Sequence, residues 1–197
     1  VRLADYLSTG LVARICTPAL VNAALDETGR QSKRQRDLPA HAVAYYVMAL
    51  SLYRGVNYQE VLRVVTEGMQ VLGDNAIRRD VGKSGISAAR TRLGWQVMAH
   101  LAEHVLQPLA DTRTRGAFFG RYRVVSLDGS TLEVADEAAN ARAFGYPGTP
   151  QGRTGYPQLR FTALLENGTH ALFGVACAGY HDSEVSLASR SVAHLKP

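Results

Sequence analysis

Apolar residues recur in this chain with two different periods. Up to about residue 112 they return every three or four positions, the spacing of helices with one buried face. From about residue 119 they come as alternating or continuous runs rich in β-branched and aromatic residues, which read as strands. The helical part divides at its punctuation. Residues 2–28 predict one or two helices, followed by the polar, basic link GRQSKRQRD with Arg30, Lys33, Arg34 and Arg36. A helix follows Pro39 through HAVAYYVMALSLY to Arg54 and stops at Gly55, with proline at its start and glycine past its end. The next runs from Asn57 to Gly73, with Asn57 as cap and Glu60 placed to close a capping box. Ser84 is the expected cap of a short helix whose Ile86, Ala89 and Leu93 share one face. Gly94 then turns the chain into a helix expected from Trp95 to Leu109.

The strand runs are RYRVVSLD, QLRFTALLE and THALFGVACAG, the last two joined by Asn167-Gly168, a strong short hairpin signal. Helical spacing resumes from His181 to Leu195 through Val185, Leu187, Ala188 and Val192. The expected fold class is therefore mixed α+β. An all-α domain over residues 1–116 precedes residues 117–197, which carry three or four mainly antiparallel strands and one helix. Between the first strand and the hairpin lies a Gly- and Pro-rich loop from Gly145 to Pro157, whose Arg153 is a candidate phosphate contact.

Composition narrows the setting. With 197 residues, 46% hydrophobic and 20% charged, the chain can bury one full core or two small ones. No apolar run approaches the ~18 residues that span a bilayer, and the first residues lack a signal-peptide core, so the expectation is no membrane and a cytoplasmic location. The two cysteines, Cys16 and Cys177, are far apart in apolar settings and are expected to be inert core residues. Residues 1–120 hold 15 Lys/Arg against 10 Asp/Glu, and residues 121–197 hold 7 against 7, so the whole +5 excess sits in the helical part. That asymmetry points to a polyanion, nucleic acid first; a solvated basic face is the competing reading.

The pair of helices around Gly94 matches a helix-turn-helix pattern. Ser87, Arg90 and Thr91 fall opposite the apolar face of the shorter helix, Lys83 precedes it and Arg92 flanks it; all five are candidate DNA contacts. An ordinary helical hairpin with a solvated face is the alternative. On the longer helix, HLAEH over residues 100–104 spells the inverted zinc-peptidase motif. Its His100 and His104 lie opposite the expected core stripe of Met98, Leu101, Val105 and Leu109, with no evident third ligand, so the spelling carries little weight.

The stretch RYRVVSLDGSTLEV sends an apolar strand into Asp128 followed by Gly-Ser-Thr. Local composition alone favours an Asx-type turn there. However, LDGSTLEVADEAANARAFG, then GYPQLRFTALLENGTHALFGVACAGY and the SEVSLASR helix, resemble the insertion-element-4 family of DDE transposases, and residues 1–115 resemble that family's helical N-terminal domain. The resemblance implies an incomplete ribonuclease H-like sheet in which Asp128, ending the first strand, is the first of three metal-binding, catalytic carboxylates. It implies Mg²⁺ as cofactor, and as partner DNA in the form of terminal inverted repeats. A homodimer or an association with a full-length transposase fits the same picture.

The family's second Asp and its Glu fall beyond residue 197, so a truncated chain, inactive alone, is expected. Asp182 and Glu184 lie at the far end of the third strand, on the sheet edge expected to carry Asp128; Glu184 is a candidate auxiliary ligand, with helix capping as the simpler role. Two functions stay open: a piece of a strand-cleaving, strand-joining enzyme, or a non-enzymatic DNA-binding protein that inhibits transposition. An incomplete sheet is further expected to leave Leu164, Phe173 and Val175 poorly covered.

Overall fold

A computed structural model describes residues 10–34, 36–71, 73, 81–149, 152–153 and 155–195. The chain forms two compact units, Val1–Val105 and Leu106–Pro197.

In the first unit residues 10–15 are helical, and five further helices follow among the described residues. Helix α1 spans Pro18–Glu27 and starts as its sequence directs, with proline at the first position and Thr17 Oγ1 accepting from the Leu20 amide at 3.3 Å. Helix α2, Ala40–Leu52, is apolar around most of its circumference, and α1, α3 and α4 all pack against it. Its tyrosines are buried by giving each hydroxyl an acceptor: Tyr45 donates to the Cys16 carbonyl at 2.6 Å and Tyr46 to the Tyr58 carbonyl at 3.2 Å. Burial pushes the Tyr45 phenol up to about 12, with Cys16 adding to the effect.

Helix α3, Tyr58–Val71, is strongly two-sided and buries Val61, Leu62, Val64, Val65 and Met69. Asn57 Oδ1 caps it by accepting from the Gln59 amide at 3.0 Å, but the expected capping box does not close. Arg63, one turn on, takes the Glu60 carboxylate through Nε at 2.9 Å and Glu67 through Nη1 at 2.8 Å.

Helix α4 is Lys83–Leu93, and its cap is Gly82 rather than Ser84, which lies inside the first turn. Helix α5 is Trp95–Val105, four residues shorter than the periodicity suggests. Pro108 disfavours helical geometry in the residue before it, and Leu109 ends 72% exposed. The buried stripe of α5 is Val97 and Leu101, with Met98 and Val105 at its margin.

The second unit opens with a short hairpin, β1 (Phe118–Phe119) and β2 (Tyr122–Arg123), and continues into β3 (Val125–Glu133) and helix α6 (Ala138–Phe144). A two-residue pair, β4 (Gly148–Thr149) and β5 (Gly152–Arg153), precedes β6 (Gln158–Glu166), β7 (Leu172–Gly179) and helix α7 (Glu184–Val192). The main sheet has the order β3-β6-β7, antiparallel throughout.

Three local features depart from expectation. The β6–β7 loop is longer than a two-residue turn: His170 donates its amide to the Glu166 carbonyl at 2.8 Å, and the positive φ, 59°, falls on His170. Gly168 serves close packing instead, since a Cβ there would lie 2.5 Å from the Cβ of the buried Ala117. The β6–β7 register shifts between Thr162 and Leu164 of β6, and the extra residue lies in β7, where Gly174 has φ 55°.

Leu164 and Phe173 are buried, against the expectation that they would be poorly covered. Helix α7 lies across the sheet, buries its own Leu187, and sets Ser191 Oγ 2.8 Å from Thr162 Oγ1. Of the three residues named, only Val175, in the bulge, is exposed. Cys16 is buried as anticipated, whereas Cys177 is exposed; both are free thiols.

Glu166 holds this unit together from its centre. Its carboxylate is fully buried at the end of β6 and accepts from the Leu109 amide at 3.0 Å, the Ala110 amide at 2.7 Å, Thr169 Oγ1 and Arg123. Arg123 also donates to the Ala110 carbonyl at 3.4 Å. Burying a carboxylate costs several kcal/mol unless it is paired and hydrogen-bonded, and here four donors converge on it. Residues 109 and 110 are thereby fastened to the sheet.

Candidate nucleic-acid face and carboxylate site

On α4 the alternation of buried and exposed positions follows the sequence pattern. Ile86, Ala89 and Leu93 face the core, and Lys83, Ser87, Arg90, Thr91 and Arg92 are all exposed. Their availability differs. Thr91 Oγ1 donates to the Ser87 carbonyl at 3.1 Å, so that hydroxyl is already turned to its own helix. The Arg90 guanidinium stands 5.9 Å from the centre of the Tyr58 ring, a cation–π contact that steers it toward α3. Lys83 and Arg92 have no acidic partner among the described residues. Gly94, at φ 72°, is the single residue between α4 and α5; α4 packs on α2 and α5 on α1, so each helix is held by its own neighbour. Arg153 falls in β5, and its side chain lies outside the described residues.

The residues of HLAEH divide. His100, with its side chain 16% exposed, sets Nδ1 3.7 Å from Glu27 Oε2 of α1. His104 stacks on it with ring centres 4.3 Å apart and places Nδ1 2.8 Å from the His100 carbonyl. One ring nitrogen of each thus faces a protein oxygen. Among the described residues no group of three or more His, Cys, Asp and Glu side chains is arranged to hold a metal ion.

Asp128 does not end a strand or begin a turn. The ladder between β3 and β6 runs unbroken from Val125↔Glu166 to Glu133↔Gln158, and Asp128 sits in its middle opposite Ala163. Nine consecutive cross-strand pairs outweigh the turn preference of Asp-Gly-Ser-Thr. Nor is β3 central, since among the described residues it pairs with β6 alone, at the margin of the sheet. The Asp128 side chain is exposed, and Oδ1 accepts from the Gly129 amide at 2.8 Å.

Glu184 begins α7, where Ser183 Oγ caps by accepting from the Ser186 amide at 3.1 Å. Its Oε1 would lie 3.3 Å from a Cβ built on Gly129, so it approaches β3 from the face that α7 covers. Successive residues of a strand point to opposite faces, which puts Asp128 on the other side from Glu184. Asp182 is committed to the turn, with Oδ2 accepting from the Gly179 amide at 3.1 Å and its carbonyl from Arg160 Nη1 at 3.0 Å. The described residues therefore supply one carboxylate to the Asp128 face, a set too small to enclose a divalent cation unaided.

Sequence reading passed over three residues that shape these regions: Tyr58 beneath Arg90, Gln96 beside Arg30, and Glu166. The cationic partner of each lies 32 or more positions away, and no local pattern marks it.

Residues 7–103 match the family described as insertion element 4 transposase N-terminal. Over 190 residues the chain is 24% identical to the transposase InsG for insertion sequence element IS4 of Escherichia coli (strain K12), covering 96% of this chain and 40% of that relative. No solved structure matches. Both similarities are to transposases of insertion elements. Residues 7–103 thus belong to the N-terminal family of insertion element 4 transposases, and the chain spans 40% of the length of that curated relative. No helix among the described residues is long and apolar enough to cross a membrane.

Proposed function

We propose that the first unit binds the DNA of an element's ends through the exposed face of α4, and that the second unit is the opening part of a ribonuclease H-like catalytic domain. Asp128 is then the first acid of a metal-binding set whose other members lie outside the described residues. The observation that carries this reading is the placement of Asp128. It is an exposed carboxylate fixed in the middle of the first long strand of a three-stranded antiparallel sheet, with a helix laid across the opposite face. A carboxylate on a hydrogen-bonded strand is held rigidly, as an oxygen ligand for a hard cation such as Mg²⁺ must be. When bound, such a cation supplies the activation of water for phosphodiester hydrolysis. The chain's own part is to present that oxygen and, through Lys83, Ser87, Arg90, Thr91 and Arg92, to hold the duplex.

With one acid on the Asp128 face, the 197 residues are expected to bind DNA without cutting it, which favours the DNA-binding reading for this chain taken alone. In a gel-shift assay it should retard duplex DNA with steep salt dependence and leave supercoiled plasmid un-nicked in Mg²⁺, and Asp128→Ala should bind as the parent does. Mg²⁺-dependent nicking that vanishes in Asp128→Ala would show that the acid set is complete within the chain. Failure to retard any duplex at low salt would remove DNA binding from the reading.

A further inference from the structure

The basic link between α1 and α2 does not scatter its charges. Arg30, Lys33 and Arg36 line a cavity of about 200 Å³ in the first unit together with Arg92 from the last turn of α4. Leu38 and Leu93, both buried, contribute apolar wall, and no Asp or Glu lines the cavity among the described residues. At about 30 Å³ per water, the volume takes roughly seven waters, or one phosphate group with part of its hydration.

The walls are built rather than loose. Arg30 reaches across to the turn between α4 and α5, donating from Nη1 to the Arg92 carbonyl at 3.3 Å and from Nη2 to Gln96 Oε1 at 3.4 Å. Gly94 makes room for that contact, since a Cβ there would come within 3.3 Å of the Arg30 guanidinium carbon and 2.6 Å of Gln96 Oε1. At the other end of the link Ser32 Oγ accepts from the Ala40 amide at 2.9 Å, and Gln31 Nε2 donates to Asn22 Oδ1 at 3.3 Å. Held in this way, the link sets Lys33 and Arg36 beside Arg92, and these three cationic heads bond to no acid among the described residues. Like charges drawn together without a counter-charge repel, so the arrangement suits an anion that enters from outside. Guanidinium groups match the oxygens of a phosphate in paired hydrogen bonds.

From this we infer that the cavity is a clamp for one backbone phosphate of duplex DNA lying along α4. It deepens the DNA-binding reading above and rests on it. Arg92 belongs both to the exposed row of α4 and to the cavity wall, which makes the two surfaces continuous. The clamp reads no sequence; it fixes how far α4 sits along the groove.

The test is fluorescence anisotropy with labelled duplexes of several unrelated sequences over a range of salt. Lys33→Ala/Arg36→Ala should weaken every duplex by a similar factor, roughly tenfold, and lower the slope of log affinity against log salt by about 1 to 2. Arg14→Ala/Arg54→Ala removes the same charge from exposed positions of the same unit outside the cavity and should leave the slope as it was. An unchanged melting temperature confirms that both variants fold.

If the parent chain binds no duplex, the DNA reading fails and the clamp with it. If the parent binds and Lys33→Ala/Arg36→Ala keeps its slope, the clamp alone is overturned. An equal loss in the control pair reduces the effect to net charge and overturns it as well. Inorganic phosphate that raises the melting temperature of the parent but not of the variant, with the DNA slope unaltered, would make this a free-anion site and refute the assignment to DNA.

Discussion

Removing the charge of Glu166 should lower the melting temperature of the second unit while leaving that of the first in place. Glu166→Gln keeps the shape but leaves one acceptor oxygen where two served the Leu109 and Ala110 amides, Thr169 and Arg123. Deleting one member of a buried ion pair costs about 3–5 kcal/mol. The Arg123 side chain is 31% exposed, so water can hydrate part of the stranded cation and the lower end applies, about 3 kcal/mol. For a unit of this size each kcal/mol moves the melting temperature by roughly 4–8 °C, giving a fall of about 12–24 °C. The chain holds one tryptophan, Trp95, in the first unit, so its fluorescence reports that unit while far-UV circular dichroism also follows the strands. The expected result is an early dichroism transition with the Trp95 transition in place. Glu166→Met/Arg123→Met, which removes both charges, should recover much of the loss. A Glu166→Gln chain that melts within a degree or two of the parent, or a double variant worse than either single one, would refute the reasoning.

Gly168→Ala should destabilise the second unit by about 1–3 kcal/mol, because the added methyl would lie 2.5 Å from the Ala117 Cβ and 2.8 Å from its backbone nitrogen, and Ala117→Gly in the same chain, which removes only the first of these contacts, should recover only part of the lost melting temperature. Thr162→Val or Ser191→Ala alone should each cost about 1–3 kcal/mol by orphaning a buried hydroxyl, whereas the double substitution should cost less than either, as measured by urea unfolding. Tyr45 is raised from its ordinary value to about 12, so the fold favours its neutral form. The resulting stability, about 2–3 kcal/mol, is fully present below pH 10 and lost as pH climbs from 10 to about 12. Burial raises the neighbouring Tyr46 as well, so spectrophotometric titration should show late-ionising phenols that lose one member in Tyr45→Phe.

Much of the first unit was legible because its signals are local. Proline before α2 and the Ile86–Ala89–Leu93 face each act within a few residues, and each appears where the pattern put it. Errors arose where a remote partner decided. Asp-Gly-Ser-Thr looks like a turn until β6, about thirty residues on, supplies a ladder across it. Leu164 and Phe173 looked uncovered because α7 was read as too little to shield a sheet, yet its one buried face suffices. The basic link was plain in the sequence, but its meeting with Arg92 depends on an arginine bridging 62 positions.

Among the described residues the β3 strand pairs along one flank only, toward β6. Its outer flank is a ready seat for another polypeptide segment, which would extend the sheet by one row and carry Asp128 from the rim to the interior without displacing it. The same carboxylate thus has two electrical surroundings open to it, one washed by solvent and one walled by protein. A neighbour, and not the residue's own coordinates, decides which of them it occupies.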